Sequence, residues 1–83
     1  MNNKKLLAKV LASPSNVRFA EMQHLVEAFE FRLLRISGSH HIYGKSGLAE
    51  QVNLQEVQGK AKPYQIRQFL KLVERYNFEL KDE

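Results

Sequence analysis

Phe31-Arg32-Leu33-Leu34-Arg35-Ile36-Ser37-Gly38-Ser39-His40-His41-Ile42-Tyr43 is the stretch on which the fold turns. A short run of bulky apolar residues ends at a glycine, and a second run begins right after Gly38-Ser39. Two such runs across a two-residue turn read as an antiparallel hairpin. Gly44-Lys45-Ser46-Gly47 then reads as a turn cluster. From Glu50 to Gln55, Val52 and Leu54 alternate with Gln51 and Asn53, which predicts a third strand with one polar face.

Helical periodicity flanks these strands. Leu6, Leu7, Val10 and Leu11 form one apolar stripe between Asn3 and Ala12, and Ser13-Pro14-Ser15-Asn16 stops it. A second helix is expected from Val17 or Arg18 to Phe29, with Phe19, Met22, Leu25, Val26 and Phe29 on one face. Glu21, His24 and Glu27 fall on the other, so His24 reads as a solvated residue. Pro63 suits the first position of a third helix. That helix buries Ile66, Phe69, Leu70 and Val73 and runs to about Asn77, while Arg67, Lys71 and Arg75 make a basic stripe on its outer side. The expected order is α-α-β-β-β-α. It predicts an α+β domain with a three-stranded antiparallel sheet whose helices cover one face.

The 83 residues make a single small domain. With no cysteine the chain has no disulfide, Fe–S ligand or thiol nucleophile, and a reducing cytoplasm is its expected setting. No apolar run is long enough for a membrane span, no secretory signal or Gly-rich phosphate loop is present, and neither membrane nor nucleotide cofactor is expected. The formal charge of +4 is uneven. Residues 1–16 carry +3 and residues 17–58 carry −1, while residues 59–77 carry +4 and the acidic tail 78–83 carries −2. Two basic patches of this kind suit an anionic partner, nucleic acid or acidic protein.

Strand alternation gives a first reading of the site. If Val52 and Leu54 mark the core side, Ile42 suits the core with His40 beside it in parity, leaving His41 and Tyr43 outside. Leu34 and Ile36 suit the core likewise, leaving Leu33 and Arg35 outside. Arg35, His41, Tyr43 and Asn53 would then share one polar surface. RNA carries its own nucleophile, the 2′-hydroxyl. A metal-free RNA-cleaving site therefore needs a proton acceptor, a donor to the leaving group and cations for the phosphate. His41 fits acceptor or donor. Arg35 and the lysines near Pro63 fit the phosphate, and Tyr43, Ser39 or a lysine is open for the second proton. Adjacent histidines on a strand point to opposite faces, so a shared metal is not expected. Binding of structured RNA without catalysis, or docking on an acidic protein, are the other readings of the same charge pattern.

Gly38-Ser39-His40-His41-Ile42-Tyr43, set between Glu27-Ala28-Phe29-Glu30-Phe31 and Val52-Asn53-Leu54-Gln55, with Gly59-Lys60 leading into the Ile66…Phe69-Leu70 helix, resembles the HicA family of toxin–antitoxin toxins. The resemblance runs from about Phe19 to Asn77, leaving residues 1–16 as an additional helix. It implies a fold like the double-stranded-RNA-binding domain and a metal-independent endoribonuclease that cleaves messenger RNA, held inactive by a HicB-like antitoxin. It also implies that His41 is the catalytic histidine and His40 the variable, structural one. Gly38 and Ser39 form the turn, while Arg35, Tyr43, Lys60, Lys62, Arg67 and Lys71 are the expected RNA and phosphate contacts. The chain departs from the family in having Glu56-Val57-Gln58 where a further histidine or proline is common. It also has no proline in the Gly44–Ala49 linker.

Overall fold

The computed structural model describes residues 2–81; Met1 and the Asp82-Glu83 end of the acidic tail lie outside them. Helix α1 (Asn3–Ala12) is followed by a single 3₁₀ turn (Pro14–Asn16) and helix α2 (Phe19–Ala28). Strands β1 (Arg32–Ser37), β2 (His40–Gly44), β3 (Val52–Val57) and β4 (Lys60–Ala61) come next, then helix α3 (Pro63–Tyr76). The strands form one antiparallel sheet in the order β1-β2-β3-β4. The α+β class and the helix–three strands–helix succession hold, and they are consistent with a double-stranded-RNA-binding-domain arrangement. The sheet has a fourth, two-residue strand where Gly59–Pro63 reads in sequence as a plain boundary.

Local chemistry explains the element ends. At α1, the Asn2 side chain accepts the Lys5 backbone N–H at 2.9 Å. Glu21 at the third position of α2 reaches back to accept the Arg18 N–H at 3.0 Å, half of a capping box. The end of α2 is a Schellman closure, with Glu30 N–H to Glu27 O at 2.9 Å and Phe31 N–H to Val26 O at 3.4 Å. Glu30 takes the left-handed conformation (φ 68°) that a glycine would usually hold there. Lys45 fastens this corner. Its Nζ donates to Phe29 O at 2.8 Å and lies 5.0 Å from the Phe78 ring and 5.7 Å from the Phe31 ring.

One hydrophobic core joins all three helices to one face of the sheet: Leu6 and Val10 of α1, Phe19, Met22, Leu25 and Val26 of α2, and Ile66, Phe69 and Leu72 of α3. The first helix is thus built into the same core as the rest. The sheet contributes Tyr43, Val52, Leu54 and Ala61. This corrects the strand parity expected from sequence. The register pairs Tyr43 with Val52 and His41 with Leu54, so these four share the helix-covered face, while His40 and Ile42 pair with Gln55 and Asn53 on the open one. Tyr43 is fully buried, its hydroxyl accepting a hydrogen bond from Gln23 Nε2 at 3.0 Å. Burial pushes its phenol pKa up.

Strand β1 departs further from its expected alternation. A bulge at Leu34 shifts its register between Leu33 and Arg35. The Leu34 side chain lies against Gly44, where a Cβ would come within 2.7 Å of its Cδ1. Leu34 and Ile36, expected in the core, are exposed, as is Leu33. Among the described residues no helix covers this edge, and Arg32, Arg35 and the bulge are the features that discourage edge-to-edge association.

Glu21 ties α1 to α2 as well as capping α2, because it also accepts from Lys9 Nζ at 2.6 Å. The Lys9 hydrogen bond and the Arg18 backbone N–H hold its carboxyl below the ordinary carboxylate range. A folded-state pKa below the unfolded value means stabilisation that is complete above the unfolded pKa and lost as pH falls through the folded one. Glu21→Gln is therefore expected to lose about 1 kcal/mol at neutral pH. The deficit relative to wild type should shrink as pH is lowered below the usual carboxylate range, measured by urea unfolding at several pH values. An equal deficit at all pH values would contradict the assignment.

Candidate active site and nucleic-acid interface

The corrected register decides where His41 sits. It shares the helix-side face with Tyr43, two residues along the strand. Tyr43 is completely covered, whereas His41 lies at the rim of the helical layer and is half-buried. Its ring meets the ring of Phe19, in the first turn of α2, edge to face with centroids 4.7 Å apart. Nδ1 is buried and has no hydrogen-bond partner. The part of the ring that reaches solvent is then the opposite edge, which carries Nε2. Any proton that this imidazole exchanges with a bound molecule passes through Nε2.

Strand β4 brings basic groups to the same end of the sheet. Val57-Gln58-Gly59-Lys60 is a two-residue hairpin, with Gln58 (φ 53°) and Gly59 (φ 79°) both left-handed, as a type I′ turn requires. The turn docks on the start of α2. Gly59 O accepts the Phe19 N–H at 2.9 Å, Val17 O accepts the Ala61 N–H at 3.1 Å, and Arg18 bridges to Lys60. Arg18 and Lys60, both exposed, are therefore backbone neighbours at this end of the sheet, and Lys60, opposite Val57, has the parity of the open face. Lys62 follows as the exposed N-cap of α3.

The remaining expected site residues divide. Gly38 (φ 61°) and Ser39 form the β1–β2 turn, and Ser39 O accepts the Glu56 N–H at 3.3 Å. Arg67 and Lys71 are exposed on α3. Arg35 pairs with Ile42 and so lies on the open sheet face, the side away from His41. Asn53 is on that face too, its Oδ1 3.1 Å from His40 Nδ1. The expected surface of Arg35, His41, Tyr43 and Asn53 is thus not assembled. Tyr43, fully buried, has no route to a phosphate. His24 is exposed as expected, yet its Nε2 lies 3.0 Å from Asn3 Oδ1.

Arg18 and Phe19 were not legible as site residues. Phe19 carries the signal of any core aromatic, and Arg18 that of an isolated surface charge. The ring contact brings Phe19 to His41, and the β4 bridge sets Arg18 beside Lys60. Among the described residues no group of three or more His, Cys, Asp or Glu side chains is placed to hold a metal ion, and no helix is long and apolar enough to cross a membrane. No protein family, no curated protein and no solved structure compared with the chain matches it.

The turn before Lys60 gives a test of this placement. A Cβ on Gly59 meets nothing within 4 Å, so Gly59→Ala acts through its positive φ alone. It is expected to cost about 1 kcal/mol and to speed amide exchange at Phe19 and Ala61 while leaving the α1 amides unchanged. Unaltered exchange at Phe19 would show that the turn does not fix the start of α2.

Proposed function

We propose that the chain is a metal-independent endoribonuclease that cleaves messenger RNA with His41, the toxin half of a pair restrained by a HicB-like antitoxin. The observation that carries this reading is the half-sealed imidazole: a ring packed against Phe19, with one nitrogen enclosed and without a partner. The resemblance of the Gly38–Tyr43 hairpin and its flanking elements to HicA toxins supports the same residue.

In this mechanism Nε2 of His41 takes the proton of a ribose 2′-hydroxyl as that oxygen attacks the adjacent phosphorus. The new P–O2′ bond forms as the bond to the 5′-oxygen breaks. The departing oxygen takes a proton from water, and the His41 proton returns to solvent. The products are a 2′,3′-cyclic phosphate and a 5′-hydroxyl. Negative charge grows on the phosphate oxygens during attack, and the cations of Arg18, Lys60 and Lys62 are the groups at this end of the fold that oppose it. The N-terminus of α3, with Lys62 at its cap, adds the positive end of a helix dipole.

His41→Gln is expected to lower RNA cleavage by about 10²–10⁴-fold and to abolish growth arrest on expression, with an unchanged circular dichroism spectrum. His40→Gln, on the opposite face, is expected to cleave normally. Cleavage by His41→Gln within a few-fold of wild type overturns the catalytic assignment. Salt-sensitive RNA binding by both proteins with no cleavage by either would instead identify a non-catalytic RNA-binding module. Cleavage should persist in EDTA, and a requirement for added divalent cation would contradict the mechanism.

A further inference from the structure

We propose that the groove between α3 and the free edge of β3 binds a single-stranded segment of RNA, reading base edges with amide side chains and stacking a base on Tyr64. The inference rests on the reading of the chain as an RNA enzyme and adds where its substrate lies.

The groove exists because β4 is too short to cover β3. Beyond Glu56, which pairs with Ala61, the outer edge of β3 has no strand beside it. Gln65 of α3 substitutes once, its Oε1 accepting the Gln55 backbone N–H at 2.6 Å. Backbone groups two residues apart on a strand point the same way, so those of Asn53 face the same open side. From there α3 and β3 bound an open groove of about 480 Å³.

Its lining is suited to nucleotides. Gln51, Asn53 and Gln68 border it; Gln51 brings a donor and an acceptor in the paired geometry that base edges present, and Gln68 keeps its Oε1 as an acceptor while its Nε2 holds Tyr64. Tyr64 is 63% exposed, and its hydroxyl accepts from Gln68 Nε2 at 2.8 Å. An aromatic ring held in place yet open to solvent is a stacking platform. Lys71 lines the same wall, exposed, with no ion pair among the described residues. At the far end Glu50 is compensated by Arg75 at 3.5 Å and held by the Tyr76 hydroxyl at 2.8 Å, which leaves Lys71 as the lining cation without a carboxylate partner among the described residues.

An extended peptide adding to β3 is the rival occupant. Peptides bound in that way gain specificity from apolar pockets for alternate side chains. Here the apolar lining residues Val52, Phe69 and Leu72 are all buried, and the accessible lining is amide, phenol and charge.

The test uses the intact protein and 2′-O-methyl oligoribonucleotides of eight A, C, G or U, which lack the hydroxyl that cleavage needs. Fluorescence anisotropy is expected to show Tyr64→Ala weakening binding roughly tenfold, with Tyr64→Phe close to wild type. Gln68→Ala should change the order of preference among the four oligomers. Lys71→Ala should weaken all four alike and flatten the salt dependence by about 0.7 in log–log slope. Binding that is unchanged in Tyr64→Ala and Gln68→Ala, or equal for single strands and a duplex, overturns the proposal. Because the probe is not cleaved, this outcome is separate from that of the His41 variants. Loss of binding in the groove variants together with normal cleavage by His41→Gln would retain the groove and remove the catalytic assignment.

Discussion

The burial of Tyr43 is the constraint on which the rest of the structure depends. A tyrosine can enter a core only if its hydroxyl finds a partner, and Gln23 of α2 supplies one at 3.0 Å. With Tyr43 inward and opposite Val52, strand alternation leaves no freedom: His41 must also point toward the helices, and Ile42 and His40 must point away. Two residues of strand are about 7 Å, and over that distance the sheet passes from beneath the helical layer to its rim. A residue with the parity of the core thereby lies at the edge of the solvent.

The elements were legible because their signals are local. The stripe of Phe19, Met22, Leu25, Val26 and Phe29, the proline that begins α3, and Gly38 at the hairpin turn each act within a few residues, and the structure has them where the pattern places them. Parity was not legible, for two physical reasons. The bulge at Leu34 interrupts β1, so Leu33, Leu34 and Ile36 cannot show which face they occupy by alternation. In β2 each face offers one apolar residue and one histidine, and the choice between Ile42 and Tyr43 is made by Gln23, twenty residues earlier in the chain. Strand β4 has little signal in the sequence because its turn is Gln58-Gly59, without the asparagine or aspartate that usually marks a left-handed pair.

Charge was visible in sequence only as two patches, and their physical status differs. In the first, Lys9 is committed to Glu21 and so serves the junction of α1 with α2. In the second, Arg75 is held by Glu50, whereas Lys60, Lys62, Arg67 and Lys71 are exposed along β4 and α3. Lys4 and Lys5 of the first patch are exposed on α1, so the cations open to an anionic ligand fall into two sets, of which the one on β4 and α3 is the larger.

The unpartnered Nδ1 of His41 is the one buried side-chain polar atom among the described residues without a hydrogen bond. Leaving such an atom unpaired costs about 1–3 kcal/mol, a sizeable amount in a domain this small. The ring that His41 meets is the aromatic Phe19, so the histidine is restrained by packing and not by a hydrogen bond to Nδ1. For a strand residue whose neighbours are otherwise occupied with folding, that restraint is the physical ground for separating His41 from His40, which spends its Nδ1 on Asn53 at the open face.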